Sequence, residues 1–284
     1  MLTPCYLTVR FEKNLTPRFP EALMKTARAI LILFVYSLFM MNSLSYAQDL
    51  VSQRAERRTL VGCPTAFTLP RASFDFDINS FPNGGVQGAV HIGLLDQFMM
   101  GLSYGAEDIL GDSKAEGNPR MEVSVKLRLL PEGLSWPGLA IGYDSQGYGA
   151  WDDHWDRYSQ KAKGFYAVFS KSFLFSRRLT TWHLGVNYTP EGKDEDNDPT
   201  VFLGFDANIL ERFALVAEYD LALNDNDHPE GYPYGSGNGY LNLGFEWVII
   251  PTISVELDVR DLLLNREAAP SVDREVRLLI LQYL

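Results

Sequence analysis

Two groups of residues in this chain stand out for the chemistry they could do: charged side chains set into apolar stretches, and acidic runs in hydrophilic ones. The first group is Asp75, Asp77, Glu122, Lys126, Arg128, Asp206, Glu218, Asp220, Glu246, Glu256, Asp258 and Arg260, joined by Arg277. Several lie two apart, which puts them on one face of a β-strand, opposite an apolar face. Both signs are present, so on a confined face they would pair, while the excess of acids would favour cations. In the second group, Asp194-Glu195-Asp196-Asn197-Asp198 and Asn224-Asp225-Asn226-Asp227 space carboxylates as calcium loops do. Neither has the sixth-position glycine or twelfth-position glutamate of an EF-hand, and Pro199 takes the sixth place of the first run. They read as solvated loops, and no metal or cofactor is expected.

The chain has four histidines, which frame the enzymatic alternatives. Asp152-Asp153-His154 and Asp227-His228 set acid beside imidazole in hydrophilic stretches, the kind of couple a protease on a membrane barrel uses. His183 sits in a strand pattern, but spacing marks no serine partner for it, and His91 has no evident partner either. The expected role is therefore non-enzymatic, with a lipase or protease at the rim of a barrel as the lesser alternative.

The elements that would position these groups are strands. Twelve alternating segments follow one another, at about 73–80, 86–94, 98–105, 120–130, 139–144, 161–171, 179–188, 201–208, 213–222, 239–248, 252–260 and 274–284. In the pair 201–222, Val201, Leu203, Phe205, Phe213, Leu215 and Tyr219 make an apolar face, and Asp206, Glu218 and Asp220 stand opposite. Each odd-numbered connection is longer than the even-numbered ones beside it, which is how an outer-membrane barrel arranges external loops and periplasmic turns. Strands near ten residues long suit a tilted membrane crossing. Trp182 and Trp247 at one set of strand ends and Tyr104, Tyr188 and Tyr240 at the other would form interfacial girdles. The expected fold is all-β, a transmembrane antiparallel up-and-down barrel of about twelve strands over 73–284. The alternative is a soluble lipocalin-like barrel with its apolar face inward. The last strand ends Tyr283-Leu284, a partial match to the aromatic terminus that barrel-assembly machinery reads.

Before the barrel come a leader and a lead-in. Ala29–Met41 is an apolar run preceded by Lys25 and Arg28 and followed by Ser45-Tyr46-Ala47, the pattern of a secretory signal peptide. Residues 1–47 are read as that peptide plus an upstream extension, Met24 being the expected start. Residues 48–72 are read as a periplasmic segment, without clear period. Within them, Leu60-Val61-Gly62-Cys63 matches a lipoprotein cleavage motif, but no apolar run precedes it, so lipidation is not expected. The other cysteine, Cys5, falls in the leader, which excludes an internal disulfide in the exported chain. A net charge of −11 on 284 residues argues against nucleic acid as a partner. Aromatic content of 13% suits a β-rich chain.

Short motifs also resemble the YjbH-like outer-membrane proteins. They are Pro64-Thr65-Ala66, Leu69-Pro70-Arg71-Ala72-Ser73, the Gly84-Gly85 turn, Lys126-Leu127-Arg128-Leu129-Leu130-Pro131-Glu132, Leu139-Ala140-Ile141-Gly142-Tyr143-Asp144 with Gly147 and Gly149, then Tyr158 and Phe169-Ser170-Lys171. The resemblance covers roughly 64–175. That family is associated with export or assembly of extracellular polysaccharide, and its fuller members are longer, with more than one barrel-like region. The resemblance implies a single-barrel relative with a non-enzymatic envelope role, and supplies no catalytic residues. The expected partners are outer-membrane lipids and lipopolysaccharide, barrel-assembly machinery, and polysaccharide or secretion partners. The alternative function is a small cation-preferring porin.

Overall fold

A computed structural model describes residues 56–111, 114–175, 178–226, 232–266 and 271–284. All of them fall in the compact unit Ser45–Leu284. The expected leader over 1–47, and the Asp227-His228 couple, lie outside the described residues.

The strands are β1 (Ser73–Phe81), β2 (Gly85–Leu95), β3 (Phe98–Glu107), β4 (Glu116–Gly117), β5 (Glu122–Leu130), β6 (Gly138–Asp144), β7 (Tyr148–Asp152), β8 (Arg157–Gln160), β9 (Gly164–Phe175), β10 (Arg178–Tyr188), β11 (Thr200–Leu210), β12 (Phe213–Asp220), β13 (Tyr240–Ile250), β14 (Ile253–Arg260) and β15 (Asp273–Tyr283). Twelve of them pair in an antiparallel ring, β1-β2-β3-β5-β6-β9-β10-β11-β12-β13-β14-β15, and β15 returns to β1 from Ser73↔Tyr283 to Asn79↔Arg277. All twelve expected strands are present. Closure leaves no sheet edge and satisfies the backbone within the wall, as a lipid solvent requires. Of the other three strands, β4 is a short addition to β3, and β7 pairs with β8 inside the 145–163 connection. That hairpin was not expected, because glycines at 147 and 149 break the alternation.

Connections at one end are tight, at 96–97, 211–212 and 251–252, with 131–137 the longest described there. The other end carries 108–121, 145–163, 189–199, 221–239 and 261–272. We call these the short-turn end and the long-loop end. The 82–84 connection at the long-loop end is the exception, a tight turn with Asn83 and Gly84 at φ of 61° and 66°. Positive φ at both central residues is the two-residue hairpin geometry, which Asn-Gly adopts at low cost.

The wall sorts its side chains by parity. Phe76, Ile78, Leu102, Val123, Ile141, Phe165, Val186, Leu215, Leu243, Phe245, Trp247, Leu257 and Val276 are exposed on the outside. An outer surface so apolar, around a charged interior, is the inverse of a soluble barrel and marks a membrane-spanning one. Tyr104, Tyr188 and Trp247 are on that outer surface as expected. Tyr240 is not: it shares parity with Asn242 and Glu246, points inward, and is 2% exposed, with its hydroxyl donating to Asp225.

The largest departure from expectation is the lead-in. From Arg57 to Leu69 the chain is not a separate segment beside the barrel but runs inside it, with Leu60, Val61, Cys63, Thr65, Ala66 and Leu69 all buried. The Thr59↔Pro64 bridge and the Leu60 N–H to Cys63 carbonyl bond (2.8 Å) fold it into a hairpin whose tip is Leu60–Cys63. The tip packs so closely that a Cβ on Gly204 would come within 2.6 Å of Leu60 Cδ1. A segment buried on all sides needs no alternation, which is why periodicity did not reveal it.

Candidate functional site

The lumen is where the charged residues converge, and the plug formed by 56–72 satisfies many of them. Arg57 Nη2 reaches Glu246 (2.7 Å) and Glu256 (2.5 Å). Gly62 and Cys63 donate their backbone N–H groups to Glu218 at 2.8–3.0 Å, and Asn242 Nδ2 adds a third donor at 2.7 Å. This seats the lipoprotein-like motif on a buried carboxylate. Arg260 donates to the Val61 carbonyl (2.7 Å) and pairs with Glu275 (2.5 Å). Arg277 donates to the Leu60 carbonyl (3.0 Å) and pairs with Asp77. Arg58 pairs with Asp75 (2.5 Å), and Lys126 donates to the carbonyls of Arg58 (2.7 Å) and Phe67 (3.3 Å). Arg128 stands at the short-turn end, on the Asp96 carbonyl and within 3.6 Å of Glu56.

Three further members of the expected set lie elsewhere. Glu122 accepts from Arg120 (2.7 Å) and from the Tyr158 hydroxyl (2.9 Å) near the long loops. Asp220 binds Lys163. Asp258 is buried beside Glu256 and Glu275 with neither carboxylate oxygen hydrogen-bonded.

A serine does face His183, contrary to the sequence reading. Ser170 stands directly across the β9–β10 pair from it, with Oγ 2.7 Å from Nδ1, and His183 Nε2 is 3.1 Å from Asp206 Oδ1. The three side chains resemble a nucleophilic relay, but Ser170 Oγ also accepts the Ala66 N–H (2.8 Å) and is fully buried under the plug. Held by Ala66 N–H on one side and His183 on the other, the Ser170 hydroxyl anchors the plug to the wall. Only the strand register brings Ser170 opposite His183, so spacing could not mark it.

The long loops knit over one side of the barrel mouth. Arg157, on β8, pairs with Asp194 (3.1 Å) and Asp225 (2.6 Å), lies on the Tyr234 ring at 4.5 Å, and binds the Tyr232 hydroxyl. Lys161 reaches Asp194 (2.7 Å) and the carbonyls of Asp196 and Asn224. Asp194 and Asp225, one from each of the runs spaced like calcium loops, thus take protein cations. Glu191 is buried here, which pushes its carboxyl up to about 7 despite nearby Arg157. In Asp152-Asp153-His154, Asp152 caps the backbone N–H of His154 (2.8 Å) and accepts the Tyr234 hydroxyl (2.9 Å), so it serves as a turn cap.

The plug does not fill the lumen evenly. It leaves a cavity of about 90 Å³ toward the short-turn end and another of about 100 Å³ toward the long loops. Both are bounded by Thr59 and Gly62 of the plug and by Asp77, His91, Ser124, Asp144 and Arg277 of the wall. The two cavities share those residues as a common lining along β1, β2, β3, β5 and β6. His91 sits there with Nδ1 on Asp75 (2.7 Å).

No protein-family model matches the chain, and no curated protein does. Among solved structures the chain is similar to the KdgM porin, at TM-score 0.43 and 8% identity over 75% of this chain and 99% of that one. It is also similar to the outer membrane protein Omp33 of Acinetobacter baumannii, at 0.40 and 9% over 75% and 97%. A third similar structure is outer membrane phospholipase A from Escherichia coli, at 0.33 and 13% over 77% and 100%.

Proposed function

We propose that this protein is a channel in the outer membrane of a diderm bacterium. It admits small hydrophilic solutes along the path beside the plug and has no catalytic role of its own. The observation that carries this reading is the set of polar lining residues that the two chambers share, from which we infer one continuous path. In this reading the apolar outer wall meets lipid, with lipopolysaccharide around the long loops, which face outward, and the termini lie in the periplasm. A route of two chambers this small does not pass a polysaccharide chain while 56–72 is seated. The export role implied by the YjbH-like resemblance therefore ranks second and requires the plug to leave.

Planar-bilayer recording tests the proposal. The purified protein should show a small, steady conductance, and a variant lacking 56–72 a larger one. A silent wild type would overturn the path beside the plug. Surface polysaccharide that falls on gene deletion, with small-solute uptake unchanged, would favour the export role instead.

A further inference from the structure

Charge along the path is unevenly neutralised. Arg57, Arg58, Lys161, Lys163, Arg260 and Arg277 all line a chamber, and each has a carboxylate partner within the fold. Lys126 is the exception among these bases, and its ammonium is buried and tethered to two plug carbonyls. On the acidic side, Asp75, Asp77 and Glu246 are paired with arginines, and Glu56, at the short-turn end, lies 3.6 Å from Arg128. Glu218 is 2% exposed and capped by three neutral donors, so a passing ion does not reach it.

Asp144 differs from all of these. It closes β6, lines both chambers, and is only half-buried. Its Oδ1 accepts a hydrogen bond from the Gln146 backbone N–H at 3.0 Å, and among the described residues no basic side chain forms an ion pair with it. Lys126 stands on the neighbouring strand two residues out of register, since Asp144 faces Ser124 and Lys126 faces Gly142. A carboxylate that lines both chambers attracts a mobile cation, while the Lys126 ammonium is held behind plug carbonyls, and low-dielectric walls focus the field of the lining charge into the path.

We infer that Asp144 sets the charge preference of this path, which takes small hydrated cations over anions. The inference rests on the channel reading above. It assigns selectivity to one side chain, outside the charged set singled out in the sequence.

Reversal potentials across a KCl gradient test it, with wild type compared against Asp144→Asn, Asp144→Glu and Asp144→Lys. Each protein is first checked for a folded barrel by heat-modifiable migration on a gel. Wild type should pass K⁺ several-fold more readily than Cl⁻. Asp144→Glu should keep that preference, Asp144→Asn should largely abolish it, and Asp144→Lys should reverse it, with conductance retained throughout. Asp144→Ser replaces the Asn variant if that one does not fold. A conducting wild type that prefers Cl⁻ or shows no preference would overturn the inference and leave the channel standing, as would a preference unchanged in Asp144→Asn. A wild type that does not conduct would overturn both.

Discussion

The two sides of the lumen obey the same strand grammar and end up in opposite states. On the β9–β14 side the inward positions include Ser170, His183, Phe202, Asp206, Glu218, Asn242, Glu246 and Glu256, all buried against one another and the plug. On the β2–β3 side they include Gln87, Ala89, His91 and Ser103, all half-buried beside the chambers. Carboxylates withdrawn from water need donors, and the plug supplies a guanidinium and backbone N–H groups where the wall presents acids. Neutral amides and hydroxyls are content with water, so nothing draws the plug toward them. The plug thus packs closest where the wall presents acids that it can satisfy, and the β2–β3 strands keep their inward side chains beside the chambers.

That comparison is most exposed to a change at Arg57. Arg57→Ala leaves Glu246 and Glu256 buried without their shared cation and should cost about 3–5 kcal/mol, read from urea unfolding in lipid vesicles. A loss no larger than that of a surface variant would show that the plug is not held by charge.

Glu191 extends the contrast to the loops over the packed side. Its folded carboxyl titrates near 7, above the ordinary 4.5, so the folded state binds the extra proton between those values. Stability is then highest below about pH 4.5, falls as pH rises toward 7, and levels off above it, a change on the order of 3 kcal/mol. Glu191→Gln should flatten that part of the pH–stability curve, and a curve of unchanged slope would place the titrating group elsewhere.

Ser170→Ala should cost about 1–3 kcal/mol by depriving Ala66 N–H and His183 of a partner. Ester hydrolysis that depends on Ser170 would break the anchor reading outright. At the small end, Gln87→Ala on the open side should change stability by less than about 0.5 kcal/mol, since its side chain has water to turn to. A larger loss would mean that both sides are packed alike.

The strand count, the parity of the wall and the placement of the short turns were legible from alternation and connection lengths. The charged set from Asp75 to Arg260 rests on the same reading, since parity alone assigns a side chain to one face. Asp144 and Glu275 share that parity and escaped notice because nothing in the pattern marks which inward acid stays open and which is paired. Ser170 escaped because its role depends on the residue across the strand pair, and the β7–β8 hairpin because its alternation is interrupted.

What the sequence by itself determined is the barrel: a period of two, repeated over twelve segments, leaves one apolar and one polar face, and a lipid solvent permits only closure. What only the tertiary structure decided is the content of that barrel. Arg57 and Glu246 stand 189 residues apart, and nothing local at either position names the other. Their pairing follows from the need to compensate charge in a space that does not exist until the wall has closed.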